Sequence, residues 1–495
     1  MIEFELKLEI APERLAAVAR AMGARHSRGR RLLARYFDTA DEALARAGIV
    51  LRLRKEGRVW VQTAKCEGER ALERLEHNVT LGVYPGAVSP EISLVRHAGT
   101  PLAQRIKQAL GLESLDQPAP LLARFETDVQ RCVRMIEHAG SVVELALDRG
   151  KVIAGGAQLA LCEIEFELTQ GDALAVVTLA RQWCAQHGLR LSSVSKSEKG
   201  RRLASGQPFG QPVAATAVRM RRHAGADEMA GAVVSSCLRQ ILDNAVEIGN
   251  GSEHREHVHQ LRIGLRRLRT ALRELRGIAP PLDGASEAAL VNAFRELGRV
   301  RDQDFLAGTV QPILMAQGGP PVNVVLEGAM PDPRAVVESA AFQDALFGLL
   351  EVVYRGGAKD GGPGEHAKIM KTIQSRLEKL LVRVLEDGAR FSQLDAQAQH
   401  HVRKRLKRLR YLAQSTESLF ATRPVRKYID ALKPAQDALG LYNDELIALQ
   451  AYRLLAARDP AAWFGVGWLS ARRDVHAAQC QKTLKRLADR KPFWR

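Results

Sequence analysis

From Ile2 the chain alternates apolar and charged positions, with Ile2, Phe4, Leu6 and Leu8 on one face and Glu3, Glu5, Lys7 and Glu9 on the other. A period of two predicts a strand. The alternation returns at Leu51-Arg52-Leu53-Arg54, from Val59 to Lys65 and from Val142 to Asp148. It returns last from Cys162 to Leu168, where Glu163, Glu165 and Glu167 interleave with Ile164, Phe166 and Leu168. Turn formers at Ala139-Gly140, Arg149-Gly150 and Gly155-Gly156 predict an antiparallel meander. Helical spacing falls between the strands, at 12–22, 101–110 and 172–187.

The period changes after about Leu203. Ser205-Gly206-Gln207-Pro208 and Gly210-Gln211-Pro212 are turn-forming and predict a linker. From about Asp227 apolar residues recur every 3, 4 and 7 positions, which predicts helix to the end, with Gly/Pro-rich loops near 317–333 and 356–364. At 495 residues the chain exceeds one ordinary core. The expected organisation is α+β: a strand-rich domain over 1–204, a linker over 205–225 and a helical domain over 226–495.

No apolar run approaches the roughly 18–20 residues of a membrane helix, and the N-terminus opens on charged residues without an apolar leader. A cytoplasmic protein is expected. The six cysteines are scattered without CxxC spacing and read as reduced packing residues. Residues 1–200 hold 28 Lys and Arg against 25 Asp and Glu, so of the net +17 only +3 lies there and +14 falls on the helical half. Such a field attracts polyanions: nucleic acid, anionic membrane or polyphosphate.

A strand face carrying Glu3, Glu5 and Lys7 cannot be buried dry, since unpaired carboxylates in an apolar core are very costly. A solvated outer face is the commonest fate of such alternation. The acidic row repeated at Glu163, Glu165 and Glu167, with basic positions between, favours a wet, charged lumen with helices packed outside. Carboxylates hold hard cations such as Mg²⁺, and guanidinium or ammonium groups clamp phosphate oxygens. Together they suit triphosphate cleavage, in which positioning and charge neutralisation dominate.

Glu3-Phe4-Glu5-Leu6-Lys7 resembles the ExExK signature of the CYTH, or triphosphate tunnel metalloenzyme, superfamily. Ordered matches continue through Tyr36-Phe37-Asp38-Thr39, Leu51 to Arg54, Thr63-Ala64-Lys65, Phe125 to Asp128 with Arg131, Val143 to Asp148, Glu163 to Leu168 and Ser195-Lys196. The resemblance implies an eight-stranded antiparallel β-tunnel with outer helices. It implies that Glu3, Glu5, Glu163 and Glu165 stand near Mg²⁺ or Mn²⁺, and that Arg52, Arg54, Lys65, Arg131 and Lys196 bind the triphosphate with Lys7 beside it. Glu5 and Lys7 are then the catalytic candidates, for attack of a metal-oriented water on a terminal phosphorus. The superfamily also holds adenylate cyclases, thiamine triphosphatases and RNA triphosphatases, which these residues do not separate.

In the helical half two segments align without gaps at an offset of 141: His259 to Arg269 and His400 to Arg410. His259, Arg262, Arg266 and Arg269 step by 3, 4 and 3 along one helix face, and His400, Arg403, Lys407 and Arg410 repeat it. Leu261, Leu265, Leu268 and Leu272 form a separate packing stripe. Stacked like charges destabilise an isolated helix by about a few tenths of a kcal/mol per pair, so a bound polyanion best explains them. The repeat continues in Leu297 to Asp302 and Leu439 to Asp444, where Asp302 and Asp444 either orient basic side chains or pair within the bundle. These residues resemble the CHAD domain. That resemblance implies two pseudo-symmetric four-helix bundles and a basic channel for inorganic polyphosphate. Sparse aromatics and the lack of a groove-reading motif weigh against nucleic acid. The expected function is metal-dependent hydrolysis of inorganic tripolyphosphate joined to long-chain polyphosphate binding, in the cytoplasm and on polyphosphate-containing granules. The competing expectation is a non-catalytic polyphosphate-binding scaffold.

Overall fold

The computed structural model describes residues 2–23, 29–68, 73–84, 89–278, 281–355 and 362–495. They form two compact units: Met1–Pro212 with Asn250–Ser252 and Glu338–Glu351, and Val213–Gly249 with Glu253–Val337 and Val352–Arg495. The loop expected at 356–364 lies for residues 356–361 outside the described residues.

In the first unit the predicted alternation becomes one antiparallel sheet. Its strands are β1 (Ile2–Glu9), β2 (Arg30–Asp38), β3 (Ile49–Glu56), β4 (Val59–Glu67), β5 (Glu73–Val83), β6 (Leu122–His138), β7 (Ser141–Ala154), β8 (Ala157–Gln170) and β9 (Arg190–Ser192). They lie in the order β5-β4-β3-β2-β6-β7-β8-β1-β9, and β1 also pairs with β5. That extra pairing, Ile2 to Phe4 against Leu75 to Glu73, closes eight strands into a ring. The ninth, three residues long, attaches to the other end of β1, with Glu9 opposite Arg190. Closure removes the sheet edges that an open sheet would expose.

Two of the three expected turns form. Ala139 and Gly140 (φ 48° and 73°) join β6 to β7, and Gly155 and Gly156 (φ 53° and 87°) join β7 to β8. Both have the positive φ pair of a tight hairpin. Arg149-Gly150 is not a turn: Gly150 lies inside β7 opposite Val129. A Cβ there would sit 2.0 Å from the Asp128 carbonyl oxygen, so the glycine serves close strand approach.

The outward face of β1, β7 and β8 (Leu6, Leu8, Leu145, Leu147, Ile164, Phe166) is fully buried, and the helix α4 packs over β1 and β8. The unit's helices are α1 (Leu15–Ala21), α2 (Ala43–Arg46), α3 (Pro101–Leu110), α4 (Ala173–His187) and α5 (Lys196–Ser205). Ser195 caps α5, its Oγ accepting from Glu198 N at 3.1 Å. Gly200 of α5 rests on the Phe125 ring, where a Cβ would come within 2.0 Å, and this contact seats Lys196 and Lys199 toward the strands. Glu338–Glu351 also belongs to this unit. Arg181 of α4 grips Asp344 (2.6 and 2.7 Å) and Glu351 (2.6 Å), and Gln343 Oε1 accepts from Leu191 N of β9 at 2.9 Å.

The second unit is helical: α6 (Ala226–Gly249), α7 (Arg255–Glu274), α8 (Gly284–Phe305), α9 (Gln311–Ala316), α10 (Pro333–Glu338), the end of α11 (Ala340–Tyr354), α12 (Pro363–Ala389), α13 (Ala396–Ser415), α14 (Thr422–Ala456) and α15 (Trp463–Ala488). Helices α12 to α15 form a four-helix bundle around Leu377, Leu381, Leu406, Leu432 and Leu484. The stretch after Pro212 is laid along α6: Asn244 accepts from Val213 N (3.1 Å) and donates to Val213 O (2.9 Å), and Ser236 Oγ donates to Thr216 O (3.0 Å). No helix among the described residues is long and apolar enough to cross a membrane.

Candidate active site and basic helical face

Because side chains on directly paired strand positions share a face, the register dictates what enters the ring. Glu5, Lys7 and Glu9 of β1 stand opposite Glu167, Glu165 and Glu163 of β8. On the far side of β8 those three pair with Glu144, Ala146 and Asp148 of β7. The result is an acidic wall along one side of a cavity of about 350 Å³. Arg52, Arg54, Lys65 and Arg74, from β3, β4 and β5, line the same cavity.

Asp148, Glu163 and Glu165 are buried, and each offers an oxygen within 4.8 Å of the others. Lys196 Nζ reaches all three, at 2.7, 2.6 and 2.6 Å. Arg131 makes a two-pronged bond to Asp148 (2.7 and 2.6 Å) and a further one to Glu165. Lys7 Nζ lies 3.8 and 3.7 Å from Glu163 and Glu165, and Lys199 donates to Glu163 at 2.9 Å. Burial pushes the Glu163 carboxyl up, but Lys196, Lys7 and Lys199 overcome it and hold it at about 2. Burial likewise opposes ionisation of Glu165, yet Lys196, Arg131 and Lys7 hold it well below the carboxylate range. The same ion pairs, working against burial, raise Lys196 well above the ordinary lysine value. A buried ion cluster of this kind is a weak source of stability and a frequent mark of a functional site. Three clustered carboxylates make an all-oxygen donor set that fits a hard divalent cation.

Arg52, Arg54, Lys65, Arg131 and Lys196 all line one cavity, with Glu5, Lys7 and Glu165. Glu5 sits apart from the three clustered carboxylates, 3.5 Å from Lys65. Glu163 reaches the cavity-lining residues through Lys7 and Lys196. The side chain of Glu3 lies outside the described residues. Burial penalises the Arg52 guanidinium, but Tyr36 and Glu76 hold it above the ordinary arginine value, and its Nε is buried without a partner. Burial and then Arg52 push Arg54 down. Asp148 and Lys199 had no role in the sequence reading. The alternation of Glu144, Ala146 and Asp148 along β7 is the signal that could have found Asp148; Lys199 follows Lys196 by three on α5 and shares its face.

In the helical unit the two basic repeats become α7 and α13, and they converge. Arg262, Arg266 and Arg269 point their guanidinium carbons at the Phe294 ring of α8, 5.2, 5.4 and 5.0 Å from its centroid. Arg301 bonds Asp302 (3.1 Å) and Asp444 (3.1 and 3.4 Å), and Asp444 also lies 4.0 Å from Arg403. Both aspartates pair with Arg301 and Asp444 also faces Arg403, contacts common to the two readings, orientation of basic side chains and pairing within the bundle. Burial, then Arg266 and Arg403, depress Lys407 to about 6. Burial and then Arg266 bring Arg262 down to about 10. His259 and His400 are both held below the ordinary histidine value, chiefly by burial, and His400 Nδ1 lies 3.3 Å from Asn443 Oδ1. The Nε atoms of Arg262, Arg403 and Arg410 are buried without hydrogen-bond partners, although Arg410 also bonds Gln436. Buried donors without partners need an explanation, and an anion supplies one. Phe294 was not legible as a site residue, since a lone phenylalanine on a helix reads as core.

An inorganic triphosphatase from Haemophilus influenzae is 30% identical over 173 residues, 35% of this chain and 46% of that protein, so the chain spans about half the length of this curated relative. Among solved structures, the CHAD domain from the plant Ricinus communis is 24% identical with a TM-score of 0.45, covering 55% of this chain and 96% of that one. A candidate adenylyl cyclase from Hippeastrum, described as having a dominant triphosphatase activity, is 21% identical with a TM-score of 0.30, covering 41% and 96%. Residues 1–200 match the CYTH domain family and residues 232–453 the CHAD domain family: the chain carries a CYTH domain followed by a CHAD domain.

Proposed function

We propose that the first unit hydrolyses inorganic triphosphate with the help of Mg²⁺ or Mn²⁺, and that the helical unit binds long-chain polyphosphate. The observation that carries the first part is a single cavity with a carboxylate cluster on one wall and guanidinium and ammonium groups on the other. Asp148, Glu163 and Glu165 would hold the cation, with Glu5 and Glu3 the further carboxylates of β1. When bound, the cation neutralises charge on the phosphates and makes a water nucleophilic near neutral pH. Arg52, Arg54 and Lys65 hold phosphate oxygens, with Arg52 contributing an Nε that is otherwise unsatisfied. Lys7 and Lys196 keep the carboxylates ionised and stand ready to share charge with the bound phosphate. Burial strengthens each of these interactions relative to water. The Haemophilus relative's name supports the choice of an inorganic substrate. The unpartnered Nε atoms of Arg262 on α7 and of Arg403 and Arg410 on α13 support the second part, which would also hold the enzyme on polyphosphate granules in the cytoplasm.

Phosphate release from tripolyphosphate, ATP and long-chain polyphosphate, each with and without Mg²⁺ or Mn²⁺, tests the reading. Release from tripolyphosphate that stops on chelation is expected. No release from any substrate with either metal present would leave a polyphosphate-binding scaffold as the better account.

A further inference from the structure

Glu9, the last residue of β1, has no part in the proposed chemistry, yet it sits between two cations. Its Oε1 lies 3.2 Å from Lys199 Nζ and accepts from Ser192 Oγ at 3.2 Å, while its Oε2 accepts from Arg190 at 3.4 Å. Each cation is shared. Lys199 holds Glu163 more closely, at 2.9 Å, and Arg190 holds Glu338 more closely than it holds Glu9. The order is therefore Glu338, Arg190, Glu9, Lys199, Glu163, with charge alternating at every step inside the sheet unit. Glu338 opens the segment that also clamps β9 through Gln343 and α4 through Asp344.

We propose that this row is a positioning relay that sets how far Glu163 is available to a divalent cation. Because Arg190 lies closer to Glu338 than to Glu9, Glu9 keeps a share of Lys199, at 3.2 Å. Lys199 is thereby restrained from pairing fully with Glu163, and a metal ion competes with it more easily. Without Glu338, Arg190 closes on Glu9, Lys199 is released toward Glu163, and the cation loses ground. Without Arg190 the sign reverses, because Glu9 then has Lys199 to itself. The inner groups are shielded from water, with Glu9 and Lys199 side chains 13% and 14% exposed, and the outer ones less so, with Arg190 and Glu338 at 24% and 31%, so screening grows toward Glu338. The inference rests on the proposal that Glu163 belongs to the cation site.

Mn²⁺ binding to the full-length chain, measured by electron paramagnetic resonance without substrate, tests the relay independently of turnover. Partners one bond removed from a metal ligand change affinity by about 10- to 100-fold, and this relay is longer, so Glu338→Gln is expected to weaken binding by about three- to tenfold. Arg190→Gln should tighten it, and the double variant should behave like Arg190→Gln. Asp344→Asn, which loosens the same segment away from the relay, should leave Mn²⁺ affinity unchanged. A merely structural segment would instead weaken Mn²⁺ binding in Glu338→Gln, Arg190→Gln and Asp344→Asn alike, and that result overturns the relay, as does no shift in any. A wild-type chain that binds no Mn²⁺ sinks the cation-site proposal and the relay with it. One that binds Mn²⁺ but releases no phosphate sinks only the hydrolytic reading, and the sign pattern still decides the relay.

Discussion

Glu165→Gln is expected to lower tripolyphosphate turnover by about a thousandfold, equivalent to about 4 kcal/mol of transition-state stabilisation, with polyphosphate binding intact. Glutamine keeps the shape of the side chain and removes its charge. Lys196 holds Glu165 as tightly as Glu163, at 2.6 Å, and Arg131 bonds it too; it is buried with Asp148 and Glu163. Two carboxylates would then face Lys7, Lys196 and Arg131, and the surplus positive charge would oppose entry of a divalent cation. Turnover measured across a Mg²⁺ titration should therefore show both a lower maximum and a higher midpoint. Activity within tenfold of wild type would remove Glu165 from the cation site. A melting curve guards against the trivial explanation, because an unpaired buried charge also destabilises the fold.

Reversing Arg262, Arg266, Arg403 and Lys407 to Glu should abolish polyphosphate binding, with affinity falling by at least about three orders of magnitude, since hydrogen bonds to charged groups contribute about 1.5–3 kcal/mol each. All four groups interact electrostatically around Asp444 and Arg301, so they act as one field rather than four contacts. Unchanged affinity would mean that the cationic face is only surface. The same field predicts a pH dependence. Lys407 is depressed to about 6, first by burial and then by Arg266 and Arg403, so it is largely neutral above that pH in the free protein. A bound polyanion favours the ammonium form, so binding takes up a proton and affinity falls as pH rises. Titrations near pH 5.5 and pH 8.5 should show tighter binding at the lower value, and Lys407→Met should flatten the difference.

Much of this was legible in the sequence because the signals were periodic. Alternation fixed the inward face of β1 and β8, and the offset repeat identified α7 and α13 before their convergence was visible. What escaped was set by pairing across the chain. Asp148 joins Glu163 only because β7 and β8 run in a register that places them opposite one another. Gly150 read as a turn because a glycine after a charged residue carries the same local signature whether it bends the chain or admits a neighbouring backbone. Glu9 stood in the sequence only as one member of the charged face of β1, and Lys199 carried no signal, since nothing local tells of β9 or of Glu338 arriving from far along the chain.

That last arrival bears on how the protein is made. Glu338–Glu351 completes the sheet unit, although all nine strands end by Ser192. On the ribosome, at roughly 5–20 residues per second, the sheet unit waits roughly 7 to 28 seconds after Pro212 for its final piece to be complete. During that interval Leu191 N lacks Gln343 and Arg181 lacks Asp344 and Glu351, and the first helices of the following unit emerge beside an unfinished one. Nascent-chain folding of this protein is therefore not a simple procession from the N-terminus, and a chain stalled before residue 338 leaves its strands made but its sheet unit short of a part.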